Sequence, residues 1–542
     1  MKVYLTALSA KAIHKTLAPW CLKAYCDTHV PGCHITVGEH TVNDHLSDIV
    51  KEIYQKAPDV LGLSVYIWNE EQVVKLATMI KKYLPKCIIV LGGPQVSFEE
   101  NLEHYPMADY LIQGAGEACF AKLLKAIQLG EKPASSLITA ENSPHLDTLP
   151  SPYTQAYYDS FTQGRMLTIE NQLIYFESLR GCPFSCTYCL SSSFQGVEEL
   201  SLNQVYNRLD ALIEKGAKCI KFVDRTFNAN RKRAGEIFRY LLAKDTSCTF
   251  HFEVAADLFD LELLELVSQM PKERVQFEIG IQSTNSETLK EICRTMDIEK
   301  VLKTIETLVS YGNCHIHVDL IAGLPFETME SFSKGIDACI RAKPHMLQLG
   351  FLKLLKGTKI REQAREYGYV YHDFVPYQVF SSATMSFDHM ITLGEIEEII
   401  EKFYNSGTFT NTIEYLLEKV FERPYTLFVS LAEFAKDENP KISQKHAYSI
   451  LYNFACQHIP WEVAAHVIKK DCLTYYAKNV IPDAIETHRQ KAMEQECKKS
   501  VQPFYTNVRI EYFPYTGETL AFIYDEKCHI SGRHKIEIWE KA

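Results

Sequence analysis

Cys182-Pro183-Phe184-Ser185-Cys186-Thr187-Tyr188-Cys189 closely follows an apolar run, Leu173 to Leu179. The spacing C-x3-C-x2-C puts three thiolates in one tight loop, and Gly181 and Pro183 suit the turn. Three thiolates can hold three irons of a [4Fe-4S] cube and leave the fourth iron open for a small molecule, unlike a closed four-cysteine site. Soft thiolates favour such a cluster. A structural zinc would take a fourth ligand at a short, regular interval. The next cysteine, Cys219, instead lies in a predicted strand.

Working outward, the alternation of strand and helix restarts at this loop. Candidate strands are Leu173–Leu179, Cys219–Val223, Thr249–Val254, Val275–Ile281, His315–Ile321 and Met346–Leu352. Helical stretches lie between them, one carried by Val205, Leu209, Leu212 and Ile213, another by Ala234, Ile237, Phe238 and Leu241. Six βα units make a partial TIM-type barrel, with the cysteine loop after its first strand, on the rim where barrels bind ligands.

Upstream, the short apolar strands Lys2–Leu8, His34–Gly38, Asp59–Tyr66, Cys87–Leu91 and Asp109–Gln113 alternate with helices. Val73, Leu76, Ala77 and Ile80 mark one helix face. This predicts a doubly wound, flavodoxin-like parallel sheet whose ligand sits beyond the carboxyl ends of the strands. Small and polar residues collect there: Ser64-Val65-Tyr66, Gly92-Gly93-Pro94-Gln95 and Gly114-Ala115-Gly116-Glu117. A dinucleotide reading fails, because Gly114-x-Gly116 follows the fifth strand and lacks the third glycine.

The expected organisation is residues 1–135 as the first α/β domain and 136–171 as a proline-marked linker. Residues 172–385 form the partial barrel, and 386–542 a mostly helical α+β domain closed by a hairpin over Asn507–Phe513 and Leu520–Tyr524. The chain has 542 residues, 46% hydrophobic, with a net charge of −11, which argues against a general polyanion-binding surface. No apolar run reaches the roughly 18 residues of a membrane span. The N-terminus shows no signal-peptide core, and the 17 scattered cysteines read as reduced thiols in the cytoplasm.

The middle domain resembles the radical S-adenosylmethionine (SAM) superfamily through Cys182, Cys186, Cys189 and the preceding Tyr188. The resemblance implies that the three cysteines bind a [4Fe-4S] cluster whose open iron chelates SAM, with Tyr188 against the adenine. It further implies SAM contacts from Asp224, Glu253, Gln282, Ser283, Arg294 and Gly323, all at or after strand ends. The first domain resembles the cobalamin-binding domain that precedes the radical domain in one large subclass. Ser64, Tyr66, Gly92, Gly93, Pro94, Gln95, Gly114 and Glu117 are the implied cobalamin contacts. Ala115 stands where an acidic residue is usual. Asp27-x-His29-x-x-Gly32 mimics the cobalt-ligating motif but falls at the opposite end of the sheet. His14 is placed better, yet reads as a helix-start histidine.

The resemblance implies an enzyme that cleaves SAM reductively to a 5′-deoxyadenosyl radical and methylates an unactivated carbon, taking an electron from an external flavodoxin- or ferredoxin-type donor. The substrate is a small molecule or peptide, with no nucleic acid and no membrane as partner. The alternatives are a radical rearrangement or cyclisation without methyl transfer, and a non-enzymatic cluster- and corrin-binding sensor or scaffold. A methylthiotransferase would need a second cysteine triplet, and the sequence has none.

Overall fold

The computed structural model describes residues 1–140, 143–162, 167–193, 196–437, 443–476, 480–485, 495, 497, 499, 505–513, 515–527 and 533–539. The chain forms two compact units. One comprises Met1–Glu278, Lys290–Thr295 and Leu352–Ser382; the other comprises Ile279–Leu289, Met296–Phe351 and Ala383–Ala542.

The first unit opens with a parallel sheet of six strands. In spatial order these are His34–Thr41, Lys2–Ser9, Val60–Ser64, Ile88–Gly92, Tyr110–Gln113 and Leu137–Thr139. All five residues of Val60–Ser64 are buried, as expected of a central strand covered on both faces. Gly62 lets that strand lie close to its neighbour, since a Cβ there would sit 2.5 Å from Leu5 Cδ2. The helix Glu70–Tyr83 buries Val73, Leu76, Ala77 and Ile80 as the periodicity predicts. Its acidic first turn and basic last turn complement the helix dipole. The strand order reverses beside Lys2–Ser9, and the crevice between that strand and Val60–Ser64 is the switch point where such sheets bind ligands.

Two expectations for residues 1–171 change. The span read as linker supplies the sixth strand, Leu137–Thr139. It also packs a short helix, Gln155–Asp159, around a buried lysine. Lys15 Nζ lies 2.6 Å from Glu39 Oε1, 2.7 Å from Ser160 Oγ and 4.2 Å from the Phe161 ring centre. Burial lowers its pKa, while Glu39 and the ring face offset the lost hydration. His14 begins no helix. It lies on the two-residue strand His14–Lys15, paired with Leu173–Ile174, and its Nδ1 meets Tyr175 OH at 2.9 Å.

The barrel strands of the first unit run parallel in the order His14–Lys15, Leu173–Phe176, Cys219–Phe222, Thr249–Val254. The strand Val275–Gln282 then leads into the second unit. Alternation along these strands separates two faces. Phe176, Phe222, Phe252 and Phe277 form an aromatic layer, with Phe222 and Phe252 centroids 4.6 Å apart. Lys221, His251, Glu253 and Glu278 point the other way. Lys221 Nζ and His251 Nε2 lie 2.8 and 3.1 Å from Glu278 Oε2 and hold it well below the usual carboxylate range despite burial.

The second unit contains the parallel strands Cys314–Ala322 and Met346–Phe351, which complete the six expected barrel strands. Helices from Phe387–Ile399 to Trp461–Tyr475 follow, then a three-stranded antiparallel sheet, Val508–Phe513, Glu518–Lys527 and His534–Trp539. Buried ionic groups stitch this region together. Asp471 accepts hydrogen bonds from Asn411 and Thr412, and Glu511 pairs with Lys469 and Arg509.

Candidate active site

The expected strand Leu173–Leu179 breaks at Glu177-Ser178. Its last part, Leu179–Gly181, turns away to pair antiparallel with Val197–Glu199 and so frames the cysteine loop. Gly181 adopts φ +94°, and a Cβ there would lie 2.2 Å from the Gly196 carbonyl oxygen, so only glycine fits this base of the loop. Asp224 pins the same base from below. One carboxylate oxygen accepts from the backbone N–H groups of Ser178 (2.8 Å) and Leu179 (2.9 Å), and the other from Ser178 Oγ. Asp224 is only 1% exposed, and burial pushes its pKa up to about 7.

Cys186 is buried, while Cys182 and Cys189 are half-buried. Cys182 Sγ lies 3.6 Å from Thr226 Oγ1. Arg294 Nη1 donates toward Cys186 Sγ (3.5 Å) and Tyr188 OH (3.4 Å), a cation set over the innermost thiol. Thr187 N bonds to Ile292 O at 3.0 Å, which fixes the segment carrying Arg294 against the loop. Three thiols on one eight-residue loop, with a guanidinium over one of them, fit an iron–sulfur cube with one protein-free iron. Glu253 stands 3.8 Å from Arg225 and 4.0 Å from Lys221.

In the second unit, Gln282 ends its strand at φ +71° with its side-chain oxygen buried and without a hydrogen-bond partner. That strained, unsatisfied end is of the kind that collects at ligand sites. Ser283 is instead engaged, donating to the buried Glu327. Gly323 follows Cys314–Ala322 at φ +89°.

At the carboxyl ends of the first sheet the glycines behave differently from one another. Gly93 has φ +105°, and a Cβ would lie 2.7 Å from Val65 O. At Gly92 the nearest atom to a Cβ is Ile112 O at 3.9 Å, an ordinary contact without a clash, and Gly114 sits at φ +81°. Ser97 ties two of these turns together, donating to Gly93 O (2.9 Å) and accepting from Gly114 N (3.3 Å). Ser64 is buried at its strand end, and Pro94 is exposed on the loop. Tyr66 stacks on Trp68 with centroids 4.4 Å apart. Trp68 is 48% exposed, and its Nε1 donates to Leu8 O across the switch-point crevice. A glycine edge without side chains beside an exposed aromatic platform is a cradle that fits a flat macrocycle and its tail. Sequence reasoning missed Trp68, although it stands two residues after Tyr66.

Two of the expected cobalamin contacts are directed elsewhere. The Gln95 amide donates to Glu70 Oε2 (2.9 Å) and to Tyr377 OH. Glu117 is buried at the start of the helix Gly116–Gln128 and accepts from Arg180 Nη2 at 2.8 Å, while Arg180 also grips Glu177. The Asp27–Gly32 motif lies at the end of the helix Ala18–His29, where His29 Nδ1 pairs with Tyr25 O.

Comparison with known families agrees with this layout. Residues 5–124 match the B12 binding domain, residues 176–339 the Radical SAM superfamily, and residues 365–522 a protein of unknown function, DUF4080. A match to the B12 binding domain thus precedes one to the Radical SAM superfamily along the chain. The chain is 26% identical over 337 residues to the cobalamin-dependent radical SAM methyltransferase TokK of Streptomyces tokunonensis, covering 54% of this chain and 47% of that one. It is 25% identical to the hopanoid C-3 methylase of Methylococcus capsulatus, covering 54% and 58%. The chain thus spans about half the length of these curated relatives. Among solved structures, the cobalamin-dependent radical enzyme OxsB matches with a TM-score of 0.61 at 14% identity over 87% of this chain and 79% of that one. The radical SAM methyltransferase TsrM of Kitasatospora setae matches with a TM-score of 0.55 at 17% identity over 68% and 77%. At such identities the structural likeness shows the fold alone. Among the described residues no helix is long and apolar enough to cross a membrane.

Proposed function

We propose that this chain is a cobalamin-dependent radical SAM methyltransferase acting on an unactivated carbon of a small molecule. One observation carries the reading: the cysteine loop, with Arg294 over Cys186, and the glycine edge at the switch point belong to one compact unit. When bound, the cluster supplies reductive SAM cleavage and the corrin supplies the transferable methyl group. The chain's own residues bind, orient and shield. Cys182, Cys186 and Cys189 hold the irons. Arg294 offsets thiolate charge and orients Tyr188. Glu253 is the remaining SAM candidate of the first unit, and Gln282 and the Gly323 turn are candidates on the second. Asp224 and Ser283 act one step removed, holding backbone and Glu327 respectively. Gly92, Gly114, Ser64, Tyr66 and Trp68 form the corrin edge. The electron comes from a low-potential protein of flavodoxin or ferredoxin type.

The test is anaerobic reconstitution with iron, sulfide and cobalamin, then reductant and SAM carrying a deuterated methyl group. Formation of 5′-deoxyadenosine by the wild type and its loss in a folded Cys186→Ala variant are expected. Deuterium in the cobalamin fraction separates methyl transfer from rearrangement. Undiminished 5′-deoxyadenosine from Cys186→Ala would sink the reading.

A further inference from the structure

The segment Leu352–Ser382 leaves the last barrel strand and belongs to the first unit, although the rest of the chain after it does not. Its base is closed: Leu354 N bonds to Tyr377 O and Val379 N to Leu352 O, each at 2.9 Å. Two sides of this loop touch two different parts of the site. On one side Tyr377, only 2% exposed, receives the Gln95 amide, and Lys356 pairs with the buried Glu99. Gly357, at φ +78°, comes so close to Phe98 that a Cβ would overlap the ring at 2.2 Å. Gln95, Phe98 and Glu99 continue directly from Gly92-Gly93-Pro94, and the same turn is braced by Gln113 Nε2 on Glu99 O at 2.6 Å. On the other side Ile360 N bonds to Thr187 O at 3.1 Å, between Cys186 and Tyr188. Arg361 stacks on Tyr377 at 4.7 Å, so the two sides are rigidly joined.

We propose that Leu352–Ser382 is a strap that fixes the glycine loop and the cysteine loop relative to one another, with Tyr377 and Lys356 as its positioning residues. The inference rests on reading those loops as the cobalamin and cluster loops, but its contacts exist in the protein without either group. It also gives a role to the start of the segment of unknown function, since residues 365–382 belong to both that match and the strap. Half-breaking a buried polar latch of this kind is costly, because each remaining partner stays desolvated with one bond fewer, Gln95 keeping Glu70 and Glu99 keeping His104.

Amide hydrogen exchange on the apoprotein tests it. Tyr377→Phe removes one hydroxyl and keeps the ring under Arg361. Lys356→Met removes one charge and keeps the stem. Both are expected to raise exchange roughly three- to tenfold in peptides covering 92–99 and also in those covering 182–189, which neither side chain touches. Gln95→Met, made from the opposite side, should reproduce the double effect, and Lys356→Arg should restore protection. A rise confined to 92–99, or none in either peptide, overturns the strap. Cobalamin titration of the same variants by absorbance should show a fall in affinity of similar size. Failure of the wild type to bind cobalamin would fault the functional reading while leaving the exchange result intact.

Discussion

The two neighbouring glycines of the first sheet separate fold from ligand. Adding a methyl at Gly93 places Cβ 2.7 Å from Val65 O and 3.1 Å from Val65 N. Neither atom can yield, because Val65 N is bonded to Gly92 O at 2.7 Å and Val65 O accepts from Gln95 N. The positive φ adds about 1–2 kcal/mol for any L side chain, and the overlap about 1–3 kcal/mol. Gly93→Ala should therefore lower the apparent Tm by roughly 4–10 °C, at about 2 °C per kcal/mol for a unit of this size. Gly92→Ala differs in kind. Its nearest neighbour is Ile112 O at 3.9 Å, an ordinary contact, so stability should stay within about 0.5 kcal/mol of wild type. On the proposed reading, the added methyl nevertheless stands at the edge that takes the corrin tail. Overpacking of about 1–3 kcal/mol there weakens cobalamin binding roughly 5- to 150-fold. Thermal unfolding and cobalamin titration of the apoproteins check both halves. Wild-type affinity in Gly92→Ala would remove the cradle, and a wild-type Tm in Gly93→Ala would refute the loop geometry.

Further outcomes are expected. Asp224 is raised by burial from 3.8 to about 7, so its stabilising protonation is complete below about pH 4 and lost as pH climbs through 7. The Tm of wild type relative to Asp224→Asn should thus fall across that window, and a flat difference contradicts it. Arg294→Gln, which loses the charged donor shared by Cys186 and Tyr188, should slow SAM cleavage about 10- to 100-fold with iron content unchanged; lost iron would make the arginine structural instead. Trp68→Ala, altering a side chain already 48% exposed, should cost cobalamin affinity far more than Tm, and the reverse pattern counts against the aromatic platform. Arg180→Met should be more damaging to Tm than Glu117→Gln, since it strands a buried carboxylate whereas the reverse change leaves Arg180 on Glu177. Equal losses argue against a charge-paired link.

What could be read from the sequence was what repeats locally. The helix face Val73, Leu76, Ala77, Ile80 and the apolar strand Val60–Ser64 are written in consecutive residues, and the structure buries them as such. The cysteine triplet is legible for the same reason, all its members lying within eight residues. The directions of polar side chains at strand ends are not local. Gln95 meets Tyr377 282 positions away, and Glu117 meets Arg180 63 positions away. A short polar residue after a strand looks the same in sequence whether it faces a ligand or a distant partner. Leu137–Thr139 escaped because three residues are too few to show a period, and its neighbour Tyr110–Gln113 supplies the edge that makes it a strand.

The distant partners share a destination. Arg180 reaches back from the base of the cysteine loop to the helix that starts at Gly116, directly after the third glycine turn. Tyr377 and Lys356 reach from the strap to the second glycine turn, while Ile360 holds the cysteine loop itself. The cysteine loop and the glycine turns are therefore tied by two polar links at different turns, one a half-buried guanidinium fork and the other an amide–phenol–ammonium latch. One link alone would leave rotation about it free. Two links at separate turns fix both distance and orientation. Chemistry that depends on near-contact placement loses rate steeply for displacements of about 1 Å. Where the proposed binding rims lie on different sheets, such long-range polar contacts add to the strand pairing of His14–Lys15 with Leu173–Ile174 in fixing one rim against the other.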